Sequence, residues 1–355
     1  MLALKEKYGD ERRTEIIKDY KEFSLEDIIA EEDVVVTISH GGFIKRFPVS
    51  GYRRQGRGGK GVTGAGTKED DFIEHMFVAS THQYILFFTD KGKCYWLKVH
   101  EVPEGGRTAK GRSIVNLLDK DKDDNITAFV AVKEFREDQY LMMATEKGTI
   151  KKTVLSAYGN VRKGGINTIN LVPGDRLIEV KMTDGKNDIV IGTRNGFAIH
   201  FNEKDVRDMG RTATGVRGIK LGKGDHVVGL LVIKNDQTTV LVVTEKGYGK
   251  RSDINDYRTT KRGGKGVITV KTTDKVGKMI AMMEVVDRDE LVIISTQGMV
   301  IRQSVKDLRV MGRNTQGVRV IRLNDHDSIA DIARVVPDED EEINGNGKDN
   351  EPMLS

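Results

Sequence analysis

An all-β ring of six similar units, each a four-stranded antiparallel sheet, is what this sequence predicts. Three observations carry that reading. A strand-turn-strand pattern recurs six times at spacings near fifty residues. A second glycine follows each turn glycine at a nearly fixed distance. Each unit has room for about four short strands, the size of one blade of a propeller-like ring.

The six patterns are VVVTISHGGFIKRF, YILFFTDKGKCYWL, YLMMATEKGTIKKT, DIVIGTRNGFAIHF, TVLVVTEKGYGKRS and LVIISTQGMVIRQS. Each is an apolar, β-branched run, a polar turn ending in glycine, and a second strand. The turn glycines are Gly42, Gly92, Gly148, Gly196, Gly247 and Gly298, spaced by 50, 56, 48, 51 and 51 residues. A turn of this kind favours φ > 0 or close backbone approach, which glycine tolerates best. The second glycines are Gly61, Gly111, Gly165, Gly215, Gly266 and Gly317, at offsets of 19, 19, 17, 19, 19 and 19. A further apolar run follows each, as in Val216 to Leu221 or Val318 to Leu323, and a strand such as Val227 to Ile233 closes the unit. These units span residues 33–336. Residues 1–32 are charged and helical in pattern, with Ser24 able to cap a short helix over Leu25 to Ala30. They read as a connector from an upstream domain. Residues 337–355 are acidic and rich in glycine and asparagine, the composition of a disordered tail.

Composition narrows the function classes. No run of about 18 apolar residues is present, so no transmembrane helix is expected. The start is too charged for a secretory signal, and a single cysteine, Cys94, fits a reducing cytoplasm. The formal net charge of +4 is unevenly distributed. The last nineteen residues hold seven acids and one base, and the first thirty-two hold ten acids and six bases. The body between them therefore carries +14. Such a body favours a polyanionic partner through its summed field and counterion release.

Catalytic signatures do not emerge. There is no HExxH, CxxC, GxSxG or Walker A sequence, and the seven histidines never fall at metal-ligand spacing. No metal, cofactor or catalytic residue is expected. Gly56 to Gly61 matches GxGxxG, but more glycine follows where a dinucleotide site needs a helix.

The cations are better organised. One set follows the turn glycines: Lys45 and Arg46, Lys151 and Lys152, His200, Lys250 and Arg251, and Arg302. Repeat two departs with Trp96, flanked by Lys93 and Lys98. A second set surrounds the second glycines: Arg57 and Lys60; Arg107, Lys110 and Arg112; Arg162 and Lys163; Arg211 and Arg217; Arg262 and Lys265; Arg313 and Arg319. In a closed ring, equivalent positions of successive blades lie along one circumference. Both sets together trace a path for a phosphate backbone. Lysine on an exposed edge also blocks aggregation, which explains single lysines better than paired arginines beside glycines. Aromatics are only 6% of the chain, too few for stacking on single-stranded bases, so duplex DNA held through its phosphates is the expected ligand. The densest cluster adds Arg53 and Arg54 to Arg57 and Lys60, interleaved with Gly56, Gly58, Gly59 and Gly61. Glycines there let backbone N–H groups approach phosphates that arginines grip in bidentate fashion.

Gln55 to Gly61 reads QGRGGKG, and repeat five holds a partial copy, TKRGGKG, from Thr260 to Gly266. With the six repeats, these residues resemble the carboxy-terminal domain of gyrase A, the DNA-cleaving component of DNA gyrase. That family carries the box Gln-Arg/Lys-Arg-Gly-Gly-Arg/Lys-Gly in its first blade. Gln55, Arg57, Gly58, Gly59, Lys60 and Gly61 match it, and Gly56 stands where the family has a cation. The opening KEKYGDERRTEI looks like the family's exit from the coiled coil of the breakage-reunion domain. The resemblance implies a β-pinwheel whose blades exchange strands and whose basic rim wraps duplex DNA. It implies partners too: the gyrase A N-terminal domain and gyrase B, in an A2B2 holoenzyme that supercoils DNA using ATP. The active-site tyrosine would lie upstream, so this chain would cleave nothing itself. The equivalent part of topoisomerase IV is the nearest alternative, although its domain usually lacks an intact box. A protein-interaction propeller would carry Trp-Gly or Leu-Thr repeat signatures that are missing here.

Overall fold

The computed structural model describes residues 6–9, 29–39, 41–48, 73–106, 109–121, 123–160, 162, 164–234, 238–297 and 300–335. Repeat one supplies β1 (Asp33–Ser39), β2 (Phe43–Pro48) and β3 (Ile73–Ser80). Repeat two supplies β4 (Tyr84–Thr89), β5 (Lys93–Lys98), β6 (Arg112–Ser113) and β7 (Ile126–Val132). Repeat three supplies β8 (Tyr140–Thr145), β9 (Thr149–Val154), β10 (Ile166–Asn167) and β11 (Leu177–Thr183). Repeat four supplies β12 (Asp188–Thr193), β13 (Phe197–Asn202), β14 (Val216–Arg217) and β15 (Val227–Ile233). Repeat five supplies β16 (Thr239–Thr244), β17 (Tyr248–Asp253), β18 (Val267–Ile268) and β19 (Met279–Val285). Repeat six supplies β20 (Glu290–Ser295), β21 (Val300–Ser304), β22 (Val318–Arg319) and β23 (Ile329–Val335).

The fold is the expected six-bladed ring of antiparallel sheets, but a blade is not a repeat. The first sheet has the order β3-β1-β2-β6, so its outer strand comes from repeat two. The next four, β10-β5-β4-β7, β11-β8-β9-β14, β15-β12-β13-β18 and β19-β16-β17-β22, each borrow their outer strand from the following repeat in the same way. The sixth sheet has three strands among the described residues, β21-β20-β23. The stretch of repeat one that corresponds to the borrowed strands begins after Gly61 and lies outside the described residues. The inner strands β7, β11, β15, β19, β23 and β3 lie successively against one another, and β23 against β3 brings the last blade to the first.

The first strand of each repeat reads as an unbroken apolar run because both its faces are covered. Ile85 and Phe87 of β4 pack with Val34, Val36 and Ile44 of blade one. The alternate residues Leu86 and Phe88 pack with Leu141 and Met143 of blade three. The same interleaving joins blades three to four, four to five and five to six. A side-chain period of two thus stacks blades face to face.

The turn and second glycines adopt the expected left-handed backbone wherever they are described. Their second constraint is closeness. At Gly111, φ is +85° and an added Cβ would sit 2.6 Å from the Ile44 carbonyl oxygen of the preceding blade. At Gly247, φ is +78° and it would sit 2.7 Å from the Ile321 carbonyl oxygen of the following repeat. The two glycine series are therefore the two sides of strand exchange. Gly111→Ala is expected to cost about 2 kcal/mol or more, from left-handed strain plus the displaced strand. The check is a lower urea midpoint at unchanged m-value.

Short 3-10 turns follow the hairpins, at Val99–Glu101, Leu155–Tyr158, Glu203–Asp205, Ile254–Asp256 and Val305–Asp307. Their first residue is buried in every case, even Glu203, whose carboxylate accepts from the Thr183 hydroxyl at 2.8 Å and the Asn187 amide at 2.6 Å. Of the helix expected over Leu25 to Ala30, residues 25–28 lie outside the described residues, and Ile29 and Ala30 are not helical. Residues 6–8 are helical. The tail from Pro337 lies outside the described residues.

Candidate nucleic-acid interface

The two sets of cations separate in space. The set that follows the turn glycines points inward. Lys151 and Lys250 are 0% exposed and Lys45 is 3% exposed. Each ammonium reaches a backbone carbonyl in the repeat that follows its own, and Lys151 reaches one in its own repeat as well. Lys45 donates to the Gly106 carbonyl at 3.2 Å and the Ala109 carbonyl at 2.7 Å. Lys151 donates to the carbonyls of Thr168 and Arg211. Lys250 donates to the Gly312 carbonyl at 2.7 Å and to that of Arg313.

The next residue along each strand makes a second tie. Arg46 bridges Glu104 through backbone, donates from Nε to the Val102 carbonyl at 2.9 Å and pairs with Glu104 at 3.3 Å. Lys152 pairs with Asp208 at 3.0 Å. Arg251 donates from Nε to the Leu308 carbonyl at 2.8 Å and pairs with Asp287. His200 meets the Tyr257 carbonyl through Nδ1 at 2.8 Å and Asp188 through Nε2 at 3.2 Å. This corrects the expectation for Lys45, Arg46, Lys151, Lys152, Lys250 and Arg251. They hold one repeat to the next and leave little or no surface for phosphate. The reason is desolvation: a buried cation must be satisfied locally, and the carbonyls of the crossing segment do that. Arg302 alone of this set is exposed, ion-paired with Glu290 of the adjacent strand.

Burial also moves the lysines' protonation. The Lys151 ammonium is pushed down to about 8 by loss of water, with the Arg211 charge adding to the effect. Lys250 falls to about 8 for the same reason, with Asp256 opposing and Arg313 reinforcing. The unfolded chain keeps these lysines near 10.4. Between pH 8 and about 10 the unfolded state therefore binds more protons, so their contribution to stability rises with pH. Unfolding of the protein and of a Lys151→Met, Lys250→Met variant at pH 7.5 and 10 should show the lysine form gaining on the variant by about 1 kcal/mol, after discounting for partial solvent access.

The set around the second glycines lies on the outer edges of the sheets. Lys110, Arg112, Arg162, Arg217, Lys265 and Arg319 are exposed. Three of these rest on aromatic rings of the strand they cross. Lys110 Nζ lies 3.8 Å from the Phe43 centroid, Lys265 Nζ 5.2 Å from Phe197, and the Arg319 guanidinium 5.6 Å from Tyr248. Such seats fix a long cation while its charge faces water. Arg319 also donates to the Tyr248 hydroxyl at 3.2 Å, holding that phenol below its usual range. Lys275, which the repeat pattern did not single out, lies over the same ring at 5.7 Å. An aromatic directly after the turn glycine, at Phe43, Phe197 and Tyr248, was the available signal for these seats.

Arg211, Arg262 and Arg313 are half-buried. Arg262 donates to the Asp205 carbonyl at 2.8 Å and the Arg217 carbonyl at 3.1 Å. Arg313 donates to the Asp256 and Ile268 carbonyls at 3.0 Å each. The geometry of the two is the same one repeat apart, and each clamps the neighbouring repeat with part of its guanidinium. Gln55 to Gly61, Arg53, Arg54, Arg107 and Lys163 lie outside the described residues. Among the described residues, no group of three or more His, Cys, Asp or Glu side chains could hold a metal ion. No described helix is long and apolar enough to cross a membrane.

The chain matches the family model "DNA gyrase C-terminal domain, beta-propeller" six times, over residues 33–80, 83–132, 139–184, 187–234, 238–285 and 289–335. It is 44% identical over 345 residues to the DNA gyrase A protein of Staphylococcus aureus (strain MRSA252), covering 96% of this chain and 39% of that protein. The same identity holds over 347 residues with the gyrase A protein of strain NCTC 8325 / PS 47, again 39% of its length. This chain thus spans about two fifths of those relatives. Among solved structures, a C-terminal domain of DNA topoisomerase IV superposes with a TM-score of 0.75 at 26% identity, covering 87% of this chain and 94% of that one. A DNA gyrase A C-terminal domain superposes with a TM-score of 0.67 at 27% identity, covering 85% and 99%. Six matched repeats on six observed blades place the chain in the DNA gyrase C-terminal domain family.

Proposed function

We propose that this domain binds duplex DNA along the outer edges of its blades and bends it around the ring. It would thereby serve as the DNA-wrapping part of a gyrase-type topoisomerase. The observation that carries this reading is the recurrence of exposed cations, three of them seated on aromatic rings, on the borrowed strands and their approaches. These are Lys110 and Arg112, Arg217, Lys265 and Arg319. Tightly bending about 30 base pairs costs several kcal/mol, up to roughly 10, which only distributed contacts can offset. The cleaving tyrosine would lie in the gyrase A N-terminal domain and the ATPase in gyrase B, joined in an A2B2 assembly in the cytoplasm.

The test uses nicked circular DNA bound by the domain, ligated, stripped of protein and read for linking number. A shift that grows with protein is expected. With about eight phosphates neutralised, log K should fall against log salt with a slope near −7. A flat salt response, or no linking change at saturation, would remove the proposal. The better superposition on the topoisomerase IV domain favours a second reading, in which this chain is the equivalent domain of a topoisomerase IV. Tight binding without a linking change would select it.

A further inference from the structure

Among the described residues, the five blade boundaries completed by a borrowed strand are of two alternating kinds. Three residues after the turn glycine stand Lys45, Tyr95, Lys151, Ile199, Lys250 and Ile301. The buried lysine thus belongs to odd blades only. The borrowed strands alternate with it. Those completing blades one, three and five are Arg112–Ser113, Val216–Arg217 and Val318–Arg319, each with an exposed arginine. Those completing blades two and four are Ile166–Asn167 and Val267–Ile268, with no charge.

The link between lysine and arginine is a short turn. Gly-Arg-Thr-Ala at residues 210–213 closes with the Ala213 amide on the Gly210 carbonyl at 3.1 Å. Three residues later, at Val216, the chain enters the strand that carries Arg217. Lys151 holds this turn from beneath through the Arg211 carbonyl. Lys250 holds the equivalent turn through Gly312 and Arg313, ahead of Arg319. Lys45 holds that of repeat two through Gly106 and Ala109, ahead of Arg112. At the described even boundaries a tyrosine of the crossing repeat bonds a threonine hydroxyl beside the borrowed strand, and at one of them Lys151 also donates to the Thr168 carbonyl. The Tyr257 hydroxyl meets the Thr269 hydroxyl at 2.5 Å, and Tyr158 meets Thr168 at 2.6 Å.

We propose that Lys45, Lys151 and Lys250 are positioning residues for the DNA track. Each fixes the turn that aims the borrowed-strand arginine of an odd blade, so the ring grips the duplex with a period of two blades. The inference rests on the DNA-binding reading above. A carbonyl held by a buried ammonium has one discrete place, whereas a turn held only by its own amide bonds can shift. An arginine presented by such a turn meets phosphate at fixed geometry, which matters for a fork-shaped donor.

The test is a double-mutant cycle on duplex affinity and linking-number change, with the whole chain and a nicked plasmid as probe. Lys151→Met keeps the length of the side chain and removes the charge. It should weaken binding about five-fold, and much less in an Arg217→Ala background, because coupled residues are non-additive. Tyr257→Phe removes the hydroxyl that meets Thr269 at an even boundary and no hydrogen bond of a buried lysine, and it should leave affinity unchanged. Equal losses from Lys151→Met with and without Arg217, or a loss with Tyr257→Phe as large as with Lys151→Met, would overturn the proposal. Should Lys151→Met not fold, surface variants decide it. Arg217→Ala with Arg319→Ala must then cost clearly more than Arg162→Ala with Lys265→Ala, and equal costs refute the two-blade period. Absence of any duplex binding by the unaltered chain would instead strike the DNA reading itself, and this inference with it.

Discussion

Removing repeat six, by ending the chain at Val286, should unfold blade five as well. A five-repeat chain loses β22, the strand that completes the sheet of β17 and β16. It strips Leu241 and Val243 of the Leu291, Ile293, Val320 and Ile321 that cover them. It also leaves Lys250 without the Gly312 and Arg313 carbonyls, and Arg251 without Leu308 and Asp287. The cut thus removes every hydrogen bond that holds these two side chains against the ring, while uncovering the apolar strand beneath them. Independent stacked repeats would lose only one unit and one interface. Here the cut also removes a strand from the preceding sheet. The expected result is a melting temperature lower by more than about 10 °C, with hydrogen-exchange protection lost over residues 248–253. A five-repeat chain that melts like the whole would show that the borrowed strand contributes little.

The fold was legible because glycine reports backbone geometry directly. Gly111 and Gly215 need a left-handed φ and lie beneath a crossing strand, and no other residue type satisfies both conditions. Two glycine series in register therefore disclosed six units before any contact was known. Strand exchange was legible only through the family resemblance, since a two-residue strand such as Val216–Arg217 leaves no periodic trace. The cations were half legible. Lysine reads alike in sequence whether it faces water or a carbonyl. The aligned column of Lys45, Tyr95, Lys151, Ile199, Lys250 and Ile301 nevertheless held the answer. A position that accepts tyrosine and isoleucine in alternate repeats is an interior position. The outer set lacks that mark: Lys110 and Lys265 align with Thr214 and Gln316, which are polar. Arg262 and Arg313 fall between, because a guanidinium can spend two N–H groups on a neighbouring backbone and still present others.

Arg57→Ala with Lys60→Ala is expected to keep most DNA binding and lose most of the linking-number change. Both residues sit in the matched box, and repeat one follows repeat six around the ring, where β23 lies against β3. Losing two phosphate contacts of about eight costs of the order of 2 kcal/mol, roughly a thirty-fold loss that stays measurable at low salt. Wrapping answers to a different balance. A bent duplex recoils, and contacts in mid-path share that load with neighbours on both sides, while a contact at the end of the path does not. The matched control removes two exposed lysines at mid-path. Lys110 and Lys265 stand one residue before their second glycine, as Lys60 does, and their rings Phe43 and Phe197 remain in place. Arg262→Ala is unsuitable as a control, because that side chain clamps the Asp205 and Arg217 carbonyls and its loss would loosen a blade boundary. Lys110→Ala with Lys265→Ala should weaken binding about as much as the box variant and keep most of the linking change. In an enzyme that contains this domain, supercoiling should then fall far more for the box variant than relaxation or decatenation. Equal losses of wrapping in the two variants would mean that only the total charge of the rim matters.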